Sequence, residues 1–264
     1  LFKDEQAAKK HTGIATLGVI YTRTGRRFFE PGQEAEIVGM INKDLAQSGY
    51  FAKYETDFVL LDAEIMPWNL KAKELISSQY AHVSENAILD RSKLLEKLHR
   101  AAAGHEVLNE WQQEYAEKLD HAHTFKEVFQ AYCWDVESVG SIQIAPFHVL
   151  AHSGRTFFNE PHTWHMEMNR EFAGMSDLFV ETAFKVITDE ASEQDVIEWW
   201  QKMTEDGHEG IVIKPETYVA RHKSKLLQPA IKVRGRKYLH IIYGMDYTDP
   251  ENLKRLKNRS AGKK

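Results

Sequence analysis

The sequence predicts an α+β protein whose antiparallel or mixed sheets are interrupted by a helical insert. Strand-like apolar runs towards both ends flank a long stretch of helical periodicity. The regular strand–helix alternation of a doubly wound sheet is missing, and so is a glycine-rich loop of the P-loop or dinucleotide-binding type. With 264 residues and 42% hydrophobic content, the chain can bury a sizeable core, as one large domain or two smaller ones.

Taken in order, Gly18–Thr22 and Arg26–Phe29 are strand-like runs joined at Thr24-Gly25, the pattern of a hairpin. After Pro31, Ile37, Val38, Ile41 and Leu45 recur at helical spacing as far as Ser48-Gly49, where glycine suits a helix end. Phe58–Met66 reads as a buried strand closed by Pro67. From Asn69 to Val136 apolar residues such as Leu94, Leu98, Trp111 and Leu119 recur at helical spacing among charges, which marks the insert. Strand character returns at Ile142–Ala151, and helical stretches follow at Trp164–Phe172 and Glu193–Thr204. Gly210–Lys214, Pro229–Val233 and Tyr238–Tyr243 read as further strands. Beyond Asp249-Pro250, a basic, apolar-poor tail either begins a helix or stays disordered.

The net charge of −5 argues against nonspecific coating of nucleic acid. Positive residues nevertheless gather at Arg23, Arg26 and Arg27, at Arg221, Lys223 and Lys225, at Lys232, Arg234, Arg236 and Lys237, and from Lys254 to Lys264. Segregated charge of this kind leaves room for a phosphate site on an acidic protein. The single cysteine, Cys133, excludes an internal disulfide framework and a multi-cysteine zinc site, and is expected to be a small buried residue. No apolar run is long enough to cross a bilayer and no signal-peptide pattern is present, so no membrane partner and a cytoplasmic setting are expected.

Four local patterns can carry chemistry. Glu209-Gly-Ile-Val-Ile-Lys214 sets a carboxylate and an ammonium at the two ends of an apolar strand. Alternation puts Glu209 and Lys214 on opposite faces unless a turn at Gly210 re-aims the glutamate. Lys232 and Arg234, two apart on a strand, project from one face, which suits a triphosphate and equally suits a solvated sheet. Asp62 and Glu64 share one side of an apolar strand, and buried there they need cations, a hydroxyl-rich ligand or a metal. Phe147, in Ala145–Leu150, either stacks on a base or fills the core. The pairs His148/His152 and His162/His165 lack the His-Glu-x-x-His pattern of a metalloprotease and read as scattered or core histidines.

In order, Thr22-Arg-Thr-Gly25, Leu61-Asp-Ala-Glu64, Pro146-Phe147, Glu209–Lys214 and Ile231-Lys-Val-Arg234 resemble the motif series of covalent nucleotidyltransferases, which include ATP-dependent ligases and mRNA capping enzymes. The longer wording of Tyr21–Phe29, Asp62–Trp68, Gln228–Gly235 and Tyr238–Gly244 is similar to the ligase domain of the bacterial Pnkp family of RNA repair enzymes, and the likeness covers most of the chain. The resemblance implies an ATP-grasp-like nucleotidyltransferase core in two parts, 1–68 and 137–245, with a helical insert at 69–136 and the start of a C-terminal helical module at 246–264. It further implies ATP-dependent joining of RNA ends. AMP passes from ATP to an enzyme lysine and then to an RNA 5′-phosphate before a 3′-hydroxyl seals the break, with Mg²⁺ or Mn²⁺ balancing the developing charge.

By motif match, the resemblance assigns adenine stacking to Phe147, ribose contact to Glu64 and metal binding to Glu209, with Lys232 gripping the α-phosphate. Lys214 and Arg234 complete the phosphate environment. Arg23 is a candidate for the ribose or the RNA 5′-phosphate, and Arg26 a second RNA contact. One departure matters. The family's nucleophile lies in K-x-x-G-x-R, and the partial match Lys10-His-Thr-Gly13 has Ala15 where arginine belongs. The nucleophile is therefore expected ahead of Leu1, and self-adenylylation is expected to be absent from these residues alone. Implied partners are RNA ends, an RNA 3′-terminal 2′-O-methyltransferase, and kinase and phosphatase modules of the parent chain. Two alternatives stand beside this reading: a non-catalytic docking fragment, and a capping guanylyltransferase or DNA ligase.

Overall fold

The computed structural model describes residues 1–101, 105–227 and 229–259, with the side chains of 71–73 outside the description. Gln228, the last residues of the basic tail (260–264) and residues 102–104 of the insert lie outside the described residues. The fold is α+β, and the chain gathers into two compact units. The first comprises Leu1–Lys71, Asp135–Val186 and Lys214–Ile231, and the second Ala72–Trp134, Ile187–Ile213 and Lys232–Lys264.

The first unit is built on one antiparallel sheet. Strand β1 (Val59–Met66) pairs along its length with β2 (Gln143–His152), which turns at Gly154 into the short β3 (Arg155–Thr156). Around it lie α1 (Glu5–Thr12), α2 (Pro31–Gln47), the single turn α3 (Tyr50–Lys53) and α7 (His162–Ala173). Helix α2 begins on proline, where the missing N–H costs nothing, and Gly49 follows with φ +74°. Its apolar stripe Ile37, Ile41 and Leu45 joins Tyr50, Val59, Ile142, Ile144, Val149, Phe172 and Leu178 in one core. Removing that much apolar surface from water is the main force that holds the unit together.

Strand β1 is half-buried rather than fully buried. Val59, Leu61, Ala63 and Ile65 face the core, while Leu60, Asp62 and Glu64 alternate onto the open side. Water therefore solvates the two carboxylates from that side. The expected hairpin at Gly18–Phe29 shrinks to a turn, with Thr22 N–H bonded to Arg26 O at 2.7 Å and one bridge between Tyr21 and Arg27. The pairing extends one step further, with Phe28 N–H donating to Ile20 O at 2.9 Å, while Ile20 N–H donates to the buried carboxylate of Glu34 at 3.0 Å.

The helical insert is present in the second unit. Helix α4 (Asn69–Leu75) leads into it and continues through a π-helical turn at Ile76–Ala81 to α5 (His82–Ala101) and α6 (Glu106–Gln130). The unit also holds α8 (Glu190–Glu205), β4 (Gly210–Ile213), most of its partner strand β7 (Ile231–Arg234), α9 (Arg236–Tyr243) and α10 (Pro250–Lys257). A two-residue hairpin of β5 (Arg221–His222) and β6 (Lys225–Leu226) belongs to the first unit. Residues 238–243, expected as a strand, are helical. Gly235 and Gly244 bracket α9, and its buried His240 and Tyr238 have rings 5.4 Å from His121 on α6 and 5.7 Å from Tyr132 just beyond its end. Tertiary packing here overrides the β-preference of a Tyr/Ile-rich run. Cys133 is half-buried instead of enclosed.

Candidate functional site

The open face of the β1–β2 sheet carries most of the first unit's candidate residues. The pairing register skips at two places, where Asp62 sits opposite His148 but Ala63 opposite Pro146, and Leu60 opposite Ala151 but Leu61 opposite Val149. Phe147 and Leu150 are thus extra residues on β2. A bulge re-aims the side chains around it, and the one at Phe147 breaks the strict alternation of β2. Phe147 is half-buried, and Lys214 Nζ stands 5.9 Å from its ring centroid, within cation–π range. Glu64 is exposed on the same strand face as Asp62, as alternation predicts.

His148 bridges a carboxylate and an ammonium. Its Nδ1 lies 3.3 Å from Asp62 Oδ2 and its Nε2 lies 3.4 Å from Lys214 Nζ. The hydrogen bond from His148 holds the Asp62 carboxyl below the usual carboxylate range, with help from the charges of Lys214 and Arg23. Behind this row, the rings of His162 and His165 on α7 converge with Tyr218 on His148. His148–Tyr218 centroids are 4.7 Å apart and His165–Tyr218 4.9 Å. Burial keeps His165 neutral down to about 4, and also lowers His162, whose Nδ1 donates to Pro215 O at 2.7 Å. The histidines that read as scattered are therefore partly convergent: His148, His162 and His165 share one cluster. His152 is in the core, with Nε2 2.7 Å from the Tyr50 hydroxyl.

The remaining candidates lie elsewhere. Arg23 and Arg26 are exposed in the Thr22–Arg26 turn of the first unit. Glu209, Lys232 and Arg234 belong to the second unit. Gly210 has φ +125°, and a Cβ there would meet Val233 O at 2.1 Å, so glycine is what allows β7 to run this close. Glu209 O accepts from Gly235 N–H at 2.9 Å, and the Glu209 side chain accepts from Arg234 Nε at 3.1 Å with both side chains about one-third exposed. Lys232 is exposed, while Arg234 also lies 5.7 Å from the Tyr238 ring.

Among the described residues one group has metal-ligand geometry: His121, Asp246 and Asp249 in the second unit. Arg91 forks onto Asp246 at 3.0 and 2.6 Å and already neutralises that carboxylate. Lys10, the decoy lysine, donates to Asp57 at 2.7 Å at the end of α1. The sequence reading missed His148 and Tyr218 as site residues. The histidine follows Phe147 directly, but only the bulge turns it towards Asp62 and Lys214.

The family described as PNKP adenylyltransferase domain, ligase domain, matches residues 1–264. No curated protein matches the chain. Among solved structures, one described as "Structure of Pnkp1/Rnl/Hen1 complex" is similar with a TM-score of 0.62 at 18% identity, over 92% of this chain and 67% of that one. At that identity the likeness bears on the fold, and it is the α+β fold described above. The match over the full length of the sequence shows that this chain belongs to the PNKP adenylyltransferase, ligase-domain family.

Proposed function

We propose that the chain is the adenylyltransferase module of an ATP-dependent RNA ligase that joins RNA 5′-phosphate and 3′-hydroxyl ends in repair. The observation that carries this reading is the Phe147 ring with the Lys214 ammonium 5.9 Å from its centre, on the strand that pairs with the one exposing Glu64. A flat platform for a base, a cation for phosphate and a carboxylate for ribose hydroxyls are what a nucleotide requires. Phe147 stacks on adenine, Glu64 accepts from the ribose, and Lys214 meets the phosphates. By motif match alone, Lys232 is assigned the α-phosphate and Arg234 a further phosphate charge; both belong to the second unit. Arg23 and Arg26 bind the RNA end.

Glu209 would offer one carboxylate, a hard oxygen ligand that suits Mg²⁺ or Mn²⁺, and such an ion would supply positive charge against that developing on phosphate. For Glu209 to serve it must leave Arg234, and the partial exposure of both groups keeps the cost of that exchange low. Lys10 is not read as the nucleophile, because its motif lacks the arginine.

The test is incubation with α-labelled ATP and a divalent metal, followed by denaturation. A covalent AMP adduct is expected on a chain extended at its N-terminus and not on residues 1–264 alone. Labelling that requires Lys10 sinks the assignment, and labelling by GTP in place of ATP favours a capping enzyme. Glu209→Ala in the extended protein is expected to abolish RNA sealing.

A docking role stands beside catalysis. The similar solved structure is described as a complex with Rnl and Hen1, and the insert of this chain exposes Val83, Leu89, Val107 and Trp111 on α5 and α6. The reading is that this module also binds an RNA 3′-terminal methyltransferase. Retention of the purified methyltransferase by the immobilised chain supports it, and no retention overturns it.

A further inference from the structure

The basic stretch after Asp249-Pro250 carries none of the roles assigned above, yet it is built into the fold. Residues 250–259, helix α10 and the turn after it, hold Lys254, Arg255, Lys257 and Arg259 against one carboxylate, Glu251. Cations in the last turn of a helix offset its dipole, and that accounts for Lys254 and Lys257. Arg255 and Arg259 do more. They line a cleft of about 370 Å³ formed wholly by residues of the second unit.

Asn252, Arg255, Leu256 and Arg259 follow the i, i+3, i+4, i+7 spacing that gathers side chains on one side of a helix. The turn past α10 keeps that path, with Asn258 N–H donating to Lys254 O at 3.1 Å and Arg259 N–H to Leu256 O at 3.2 Å. Like charges four residues apart repel, and an anion held between them removes that cost. Glu251 is a weak competitor for the role. It stands 3.7 Å from Arg255, with both side chains more than three-quarters exposed. The acid in the cleft wall, Asp246, is held by the fork of Arg91 at 3.0 and 2.6 Å, so it does not cancel the two arginines.

The same cleft presents an aromatic ring. Tyr243, the last residue of α9, lines it and is half-exposed, 6.0 Å from the ring of the buried Tyr247. The Tyr247 hydroxyl donates to Arg236 O at 2.8 Å, so a fixed ring packs beside the exposed one. A free aromatic face stacks on any base, and guanidinium forks match phosphate oxygens. Bases inside a duplex have no free face to offer, so the strand that fits is single. We propose that this cleft binds one nucleoside phosphate unit of a single-stranded RNA, with the base on Tyr243 and the phosphate between Arg255 and Arg259. The inference rests on the RNA-ligase reading for the identity of the strand, and adds a hold on RNA besides Arg23 and Arg26.

The test is fluorescence anisotropy of a short single-stranded oligoadenylate that has no terminal phosphate, titrated with the extended ligase at several salt concentrations. Wild type is compared with Tyr243→Ala, Tyr243→Phe, Arg255→Gln and Arg259→Gln. All three side chains are exposed, so these substitutions spare the core. Tyr243→Ala is expected to bind about tenfold more weakly with an unchanged salt slope, and Tyr243→Phe to stay within about twofold of wild type. Each arginine variant is expected to lower the slope of log affinity against log salt by about 0.7, the value for one phosphate contact on a single strand. Wild-type affinity in Tyr243→Ala, or wild-type slopes in both arginine variants, overturns the proposal. Displacement by free AMP as effective as by unlabelled oligoadenylate marks a mononucleotide pocket, and equal displacement by polyglutamate marks a surface for acidic protein; either overturns the RNA assignment. AMP-adduct formation from α-labelled ATP is read in parallel and is expected to be the same in wild type and every variant. Loss of the adduct in the variants alone places the cleft in the ATP step and overturns the proposal, whereas a wild type that forms no adduct overturns the ligase reading instead.

Discussion

Glu34 takes a charge into the interior of the first unit. Its side chain is 5% exposed and accepts from Arg27 Nη1 at 2.6 Å and from Ile20 N–H at 3.0 Å. Because Arg27 is half in water, the pair is worth less than a fully buried one, yet its loss strands a buried carboxylate. Arg27→Ala is expected to lower stability by about 1–2 kcal/mol, read as a lower urea midpoint with unchanged slope. His152 gives a second handle at this scale. Burial holds its folded-state value down to about 4, against 6.5 in the unfolded chain. Between those values the unfolded state binds a proton that the folded state refuses, so stability is complete above pH 6.5 and is lost as pH falls towards 4. The shift corresponds to at most about 3 kcal/mol. The urea midpoint should fall between pH 7 and 5, and His152→Gln, which keeps a partner for Tyr50 but does not titrate, should flatten part of that fall.

At the scale of elements, the β4–β7 pair depends on a single glycine. Gly210 combines φ +125° with backbone contact that no Cβ can enter, so Gly210→Ala must both strain the chain and push β7 away. The expected result is a loss of more than about 3 kcal/mol in thermal or urea unfolding, together with loss of the Glu209–Arg234 pairing that spans the two strands. Helix α8 is started by a quieter device. Asp189 and Ser192 form a reciprocal capping box, with Ser192 N–H donating to Asp189 Oδ1 at 2.8 Å. Asp189→Ala is expected to cost about 1 kcal/mol in the same assay. Element by element, periodicity found α2, α7, α8 and the insert, because their apolar stripes are local. It missed α9, since Tyr238-Leu-His-Ile-Ile-Tyr243 has β-forming composition and becomes helical through its packing on α6.

For the whole molecule, the charge of −5 and the local clusters of arginine and lysine lead to a measurable contrast. If Arg23 contacts RNA phosphate, the affinity of the extended ligase for a 5′-phosphorylated RNA end should fall linearly with salt on logarithmic axes. Arg23→Ala should then reduce that slope by about one. An unchanged slope removes Arg23 from the RNA contact. Among the described residues no helix is long and apolar enough to cross a membrane.

The sequence by itself determined the α+β class, the helical insert and the motif series that marks the family, because these rest on local periodicity and on residue order. It also placed Asp62 and Glu64 on one strand face, since alternation along a strand is a property of the backbone. Tertiary structure alone decided that this face is open to water, which turned two carboxylates expected to be buried into solvated ones. It alone decided that the chain gathers into two units and that residues 238–243 are helical. It also brought Asp62, His148 and Lys214 together. These three lie on different segments, up to 152 positions apart in number. No pattern within a strand or helix reports on them, because their meeting depends on a bulge in one strand and on the path of a segment far along the chain.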